Sequence, residues 1–357
     1  MRIIHCADIH LDSCMDSNLP IRQARQRSAE LCGTFSRMVE FAKKQQVEAV
    51  LIAGDLFDTD RVSRRTIGFV LDTIRSAPEV DFFYLRGNHD EQVPLFDGYV
   101  LPENLKTFTS QWTGYRYGQV VITGIEPDGA GWETMYEELN LSQADTNLVV
   151  LHGQDSTQPG EELICVPKLR NKHITYLALG HLHSYRKQPL DETGEFCYCG
   201  CLEGRGFDEC GEKGFVLLDI ADGAVHAEFV PFALRQCREI PVDITGLVTV
   251  SQLQQAMQDR AREVSPESLV KFVLRGSFTT QTQKDLEFLR RILEERFYFV
   301  KIKDESRFFI DPMSYEHDVS LKGEFIRLVM ASDRTEEEKA RMICCGISAL
   351  SSEEVVL

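Results

Sequence analysis

Short apolar runs that each end in a polar residue organise the first half of the chain. Ile3-Ile4-His5-Cys6-Ala7 leads to Asp8-Ile9-His10, and Val50-Leu51-Ile52-Ala53 leads to Gly54-Asp55. Phe82-Phe83-Tyr84-Leu85 passes through Arg86-Gly87 to Asn88-His89-Asp90. Leu148-Val149-Val150-Leu151 leads to His152-Gly153, and the run over 174–179 leads to Gly180-His181-Leu182-His183. Runs with β-branched and aromatic members, closed near a glycine, predict buried strands. Strands apolar on both faces belong to a sheet covered by helices. Between the first two runs, Ala24, Leu31, Phe35, Met38, Val39 and Ala42 recur at helical spacing and predict a helix over 20–46. Ile67, Val70, Leu71 and Ile74 predict another over 62–77, so the opening of the chain reads as βαβ crossovers.

Further on, short strands are expected within 107–125 and a short helix over 132–139. After His183 the pattern is β-rich: 196–201, 214–220 and 225–232, with turns such as Asp222-Gly223. We read these as a second sheet packed on the first, with helices outside both. From about residue 236 the chain repeats strand, helix, strand, helix, strand (236–243, 250–264, 268–275, 281–296, 298–303) without metal-ligand residue types at the strand ends. That marks a separate small domain. Helices are expected over 321–330 and 335–349; Phe325, Ile326, Leu328, Val329, Met342, Ile343, Ile347 and Leu350 give them more apolar surface than free tails need, which suggests docking on this chain or another. The expected domains are therefore 1–232, 236–310 and 318–350.

Composition narrows the class without choosing the chemistry. The chain has 357 residues, 43% apolar and 27% charged, ordinary for a globular protein, and no stretch approaches a membrane helix. The amino terminus enters a strand at once rather than forming a signal peptide, so a cytoplasmic protein is the expectation. Eleven cysteines, several inside expected strands, read as reduced core thiols. Cys197, Cys199 and Cys201, with Cys210 nearby, alternate as one strand face does, unlike the wider spacing of zinc knuckles. The net charge of −17 argues against a protein that grips nucleic acid alone, and residues 231–357, with 18 basic and 21 acidic side chains, contribute little of it. Local basic clusters (Arg22, Arg25 and Arg27; Arg61, Arg64 and Arg65; Lys168, Arg170 and Lys172; Arg186 and Lys187) each read as a solvated face. Arg61, Arg64 and Arg65 follow Asp58 and so would stand beside the site described next.

In α/β sheets ligands bind at the carboxyl ends of strands. The strand ends would gather Asp8, His10, Asp55, Asn88, His152, His181 and His183. Each alone could be a turn residue or a satisfied core histidine; their joint recurrence is what such accidents explain poorly. Oxygen and imidazole donors in that number suit two divalent metals sharing a carboxylate, with Asp55 chosen as the bridge. Imidazoles disfavour Mg²⁺ and favour Mn²⁺, Fe or Zn²⁺. His89, beside Asn88, is the candidate catalytic acid, and Asp58 or Asp90 the candidate for orienting a histidine.

The series Asp8-x-His10, Gly54-Asp55-x-x-Asp58, Gly87-Asn88-His89-Asp90, His152-Gly153 and Gly180-His181-x-His183 resembles the calcineurin-like metallophosphoesterases. Ala7-Asp8-Ile9-His10-Leu11-Asp12, with Tyr198-Cys199-Gly200-Cys201-Leu202 and Gly206-Phe207-Asp208-Glu209, is similar to SbcD-type DNA repair exonucleases, and within them to the YhaO-like branch. The resemblance implies an α/β four-layer fold, two packed mixed β-sheets flanked by helices, with a small α+β capping domain and C-terminal helices. It implies two Mn²⁺ ions, one on Asp8, His10, Asp55 and His183 and one on Asp55, Asn88, His152 and His181. It further implies a nuclease acting on DNA beside an SbcC-like coiled-coil ATPase, the cap reading DNA and the terminal helices docking on the ATPase; pairing of two copies stays open. One departure is the absence of the family's proline around residues 61–63. Alternatives that keep the metals are a phosphatase or a cyclic-nucleotide phosphodiesterase; a non-catalytic scaffold is a third.

Overall fold

The computed structural model describes residues 1–15, 19–58, 62–89, 96, 98–129, 131–279, 281–309 and 315–350. It divides into two compact units, Met1–Gln236 and Cys237–Leu357.

The first unit is a sandwich of two mixed sheets. One carries β1 (Arg2–Cys6), β2 (Ala49–Ala53), β3 (Asp81–Leu85) and β4 (Leu105–Thr107) as parallel neighbours. The other carries β5 (Thr113–Tyr117), β6 (Val120–Gly124), β7 (Thr146–His152), β10 (Tyr176–Gly180), β12 (Glu195–Tyr198) and β11 (Arg186–Pro189); a small parallel pair, β8 (Gln154–Ser156) and β9 (Leu163–Cys165), stands apart. The candidate strand ends therefore come from both sheets: β1, β2 and β3 from one, β7 and β10 from the other. Here the structure corrects the expected pairing. The strands after Tyr198, β13 (Gly214–Ala221) and β14 (Ala224–Pro231), do not extend the second sheet; β13 pairs antiparallel with β1, Ile4 opposite Leu217, and β14 follows it as the edge strand of the first.

Alternation along each strand divides its side chains between two cores. Ile3, Leu51, Ala53 and Phe83 meet Leu148, Val150, Tyr176 and Ala178 between the sheets. Cys197 and Cys199 lie in this same core as free thiols, packed as strand residues. On the outer side of the first sheet, α1 (Ile21–Lys44) brings Phe41 against Phe215 of β13, and α2 (Arg64–Arg75) meets α1 through Phe69 and Phe35. On the outer side of the second, Trp132, Met135 and Tyr136 of α3 (Gly131–Glu138) and Leu169 of the short α4 (Val166–Leu169) cover Val149, Leu151, Leu177 and Leu179. Helices thus flank both sheets. Where the family has its proline, Ser63 caps α2: its hydroxyl accepts from Thr66 N, and Asp12 holds both residues. Arg61 lies outside the described residues.

Arg27 departs from the solvated face expected of it. It is fully buried in α1, donating to Glu203 Oε2 at 2.9 Å, to Gly204 O at 2.7 Å and to Glu30 at 2.6 Å. A buried guanidinium needs such partners, and Glu203 comes from a loop 176 residues away.

The second unit has a three-stranded parallel sheet, β15 (Cys237–Asp243), β16 (Leu269–Arg275) and β18 (Phe299–Asp304), with α5 (Val250–Arg260) and α6 (Leu286–Glu294). Thr249 and Gln252 form a capping box on α5. The helix expected from 281 begins at Leu286, because Asp285 caps it and accepts from Phe288 N. A second parallel pair, β17 (Ser277–Phe278) and β19 (Arg307–Phe308), precedes α7 (Leu321–Met330) and α8 (Glu336–Leu350). Ile326, Val329, Ile343 and Ile347 form a small core of their own, joined by Phe308, while Leu321, Leu328 and Met342 stay exposed.

Candidate metal centre

The carboxyl ends of β1 and β2 are tied together by main-chain hydrogen bonds: Asp8 N to Gly54 O at 3.1 Å, and Ile9 N and His10 N to Asp55 O at 2.8 and 3.0 Å. These bonds hold Asp8, His10 and Asp55 at φ of 50°, 49° and 51°, the left-handed region that non-glycine residues avoid. Strain of about 1–3 kcal/mol per residue persists only where the surroundings impose it, and such residues cluster at functional sites. The flanking glycines make room. A Cβ on Gly54 would lie 2.0 Å from His152 Nδ1, and one on Gly87 would lie 2.1 Å from Asp55 Oδ1. One on Gly180 would lie 1.9 Å from Ala53 O, where the two sheets meet.

Asp8, His10, Asp55, Asn88, His152, His181 and His183 converge here. Oxygen and nitrogen atoms of Asp8, His10 and His183 lie within 4.8 Å of one another, as do those of Asp8, Asp55 and His152, and of His10, Asp58 and His89. His10 Nε2 is 3.2 Å from His183 Nε2 and 3.8 Å from Asp55 Oδ2. Across the site His152 Nε2 is 3.5 Å from Asp55 Oδ2 and 3.0 Å from Asn88 Oδ1, and His181 Nδ1 is 3.3 Å from the same Asn88 oxygen. Asp55 therefore stands between the two clusters. Main-chain N–H groups aim the carboxylates: His181 N donates to both Asp8 oxygens at 2.9 and 3.1 Å, and His89 N to Asp55 Oδ1 at 3.0 Å. His89 itself is half exposed, its ring 4.9 Å from that of His10. Asp58 Oδ1 sits 2.9 Å from His10 Nδ1. Asp90 lies outside the described residues.

The electrostatics fit a cationic occupant. Burial, and then the neighbouring Asp55, pushes the Asp8 carboxyl up to about 8. Burial likewise lowers His152 to about 4 and lowers His10. Two adjacent buried carboxylates among imidazoles held neutral are costly unless positive charge lies between them. The donor set is one that divalent cations fill.

Two residues of this site carry no strand-end signature, and sequence reasoning assigned them no role. Glu209 Oε1 accepts from His183 Nδ1 at 2.7 Å, and Arg205 pairs with both Glu209 and Asp58. Burial works against Asp58, yet hydrogen bonds from His10 and Ser13 and the charge of Arg205 hold it down at about 2. Glu209, though buried, is held well below the carboxylate range by His183 and Arg205. Burial opposes the charged form of His183 too, but Glu209 and Asp8 raise it. Glu209 sits in the Gly206-Phe207-Asp208-Glu209 stretch, the one signal that could have pointed to it; nothing local points to Arg205.

Residues 1–185 match the family model described as calcineurin-like phosphoesterase, which is more than half of the chain. The chain belongs to this family. Calcineurin-like phosphoesterases bind two divalent metals, and the Asp and His groups above are this member's candidates. The chain is 26% identical over 78% of its length to the uncharacterized metallophosphoesterase YhaO of Bacillus subtilis, covering 72% of that protein. It is 21% identical over 100% of its length to the DNA double-strand break repair protein Mre11 of Saccharolobus solfataricus, covering 97% of it. It is 25% identical over 68% of its length to a subunit of the SbcCD nuclease of Staphylococcus epidermidis, covering 72% of that protein. Among the described residues of this phosphoesterase no helix is long and apolar enough to cross a membrane.

Proposed function

We propose that this phosphoesterase is a Mn²⁺-dependent DNA nuclease, exonucleolytic on duplex ends, working as the nuclease subunit beside an SbcC-like coiled-coil ATPase. The observation that carries the reading is similarity along the whole chain, not its catalytic half alone, to a protein named for DNA double-strand break repair. In this reading Asp8, His10, Asp55 and His183 hold one ion, and Asp55, Asn88, His152 and His181 hold the other. Bound there, the ions supply an activated water and stabilise charge on the phosphate oxygens.

The protein's own groups then have definable tasks. His152 Nδ1 is 2.9 Å from Ala53 O, which only accepts, so Nδ1 carries the proton and the Nε2 lone pair is left facing Asp55. Asp58 and Glu209, both ionised, do the same for His10 and His183. His89 is fixed to Asp55 through its main chain and its Nδ1 lies 3.3 Å from Asp58 O, so that Nε2 would protonate the leaving oxygen or neutralise charge on the phosphorane. Residues 236–310 would read DNA, and 318–350, with Leu321, Leu328 and Met342 exposed, would dock on the ATPase. An acidic subunit that borrows DNA affinity from its partner agrees with the net charge of −17.

The test is digestion of end-labelled duplex and single-stranded DNA with Mn²⁺ or Mg²⁺, beside a simple phosphomonoester. Mn²⁺-dependent shortening of duplex DNA supports the reading. Hydrolysis of the monoester with DNA untouched would replace it with a phosphatase, and no hydrolysis of either with a scaffold.

A further inference from the structure

We infer that Arg205 is a positioning residue that braces one metal position and not the other, by clamping together the carboxylates behind His10 and His183. The inference rests on the dinuclear reading above. Arg205 Nη1 donates to Asp58 Oδ1, the same oxygen that lies 2.9 Å from His10 Nδ1. Its Nε and Nη2 donate to Glu209 Oε1 at 3.0 and 2.8 Å, the oxygen that also receives His183 Nδ1 at 2.7 Å. Its main-chain N–H donates to Glu209 Oε2 at 2.7 Å. One planar guanidinium thus sets the separation of two carboxylates, and through them the separation of two imidazoles whose Nε2 atoms are 3.2 Å apart.

The arrangement is largely withdrawn from water. The side chains of Arg205, Asp58 and Glu209 are 19%, 20% and 3% exposed. A rigid fork in such surroundings holds geometry that a solvated ion pair would not. The other cluster is oriented differently: His152 Nδ1 is held by the Ala53 main-chain carbonyl, 2.9 Å away, and not by a carboxylate. The brace is therefore asymmetric. Carboxylates behind a ligating histidine are worth about 10–100-fold in metal affinity when removed, and Arg205 governs two of them on one ion's side.

The experiment titrates Mn²⁺ alone, without DNA, into the full chain by calorimetry, with electron paramagnetic resonance reporting the spin-coupled pair. Wild type, Arg205→Met and Arg205→Lys are compared, and the melting temperature of each metal-free protein is recorded. Wild type binds two ions. Arg205→Met keeps one at wild-type affinity and weakens the other by about 10–100-fold, so that at intermediate Mn²⁺ the coupled signal gives way to that of a single ion. Arg205→Lys, which keeps charge but loses the fork, shows the same split at smaller amplitude and serves if the Met variant does not fold. The inference is overturned if the foldable variant binds both ions as wild type does, or loses both equally. Wild type that binds no ion pair would instead bring down the dinuclear reading, and this inference with it.

Discussion

Truncating His89 to Ala separates catalysis from metal binding in the proposed mechanism. The imidazole is 43% exposed, so its removal buries no new void, and Nδ1 lies 3.3 Å from the Asp58 carbonyl. The contact that matters to the centre, His89 N to Asp55 Oδ1 at 3.0 Å, belongs to the main chain and survives substitution. Stability should therefore change by no more than about 0.5 kcal/mol, as for other surface truncations. A positioned proton donor contributes about 10²–10⁴-fold to rate, which corresponds to about 2.7–5.4 kcal/mol of barrier. The expected result is wild-type metal content by elemental analysis, an unshifted melting temperature, and kcat on end-labelled duplex DNA lower by that factor with KM nearly unchanged. Metal lost in proportion to activity would show that His89 is a ligand. Undiminished cleavage would show that the proton comes from elsewhere.

Gly87→Ala places a Cβ 2.1 Å from Asp55 Oδ1 and 2.5 Å from Asp55 N, so the carboxylate between the two clusters must move; cleavage should fall by about 100-fold or more with metal content, and full activity would refute the placement of Asp55. With Asp8 raised to about 8 from 3.8, the ion-free fold binds a proton there that the unfolded chain has lost over that interval, so the contribution of Asp8 to stability is lost as pH rises from about 4 to about 8, while the lowered His152 and His10 contribute in the opposite sense up to 6.5. That proton must leave when a cation binds, and so must the one that the raised His183 holds, so Mn²⁺ affinity should climb by at least about tenfold per pH unit and flatten above about 8; calorimetry in buffers of different ionisation enthalpy counts the released protons, and a flat profile would contradict the shift. Arg27→Met leaves Glu203 buried with Thr34 Oγ1 and Leu234 N but with only the half-exposed Arg37, 3.9 Å from Oε1, as its cation, which should cost about 3 kcal/mol in urea unfolding at unchanged slope; a loss under about 1 kcal/mol would mean that Arg37 takes over the pairing.

Reading the sequence alone determined the elements of this phosphoesterase and the residues at their ends. Side-chain alternation and turn glycines are local, acting over two to four positions, so β1, β2, β3, β7 and β10, and the Asp, Asn and His residues that follow them, were visible without coordinates. Which strand pairs with which is a long-range choice. β13 and β14 carry the same alternation whether they extend the second sheet or close the first, and only tertiary packing brought Ile4 opposite Leu217. The same holds for charge. Nothing near Arg27 in sequence announces Glu203, and nothing near Arg205 announces Asp58, 147 residues away. A buried ion pair is chosen by what the fold brings within reach once water is excluded. Periodicity therefore pointed to the residues that gather in the candidate metal centre, and the folded chain alone decided which charges stand behind them.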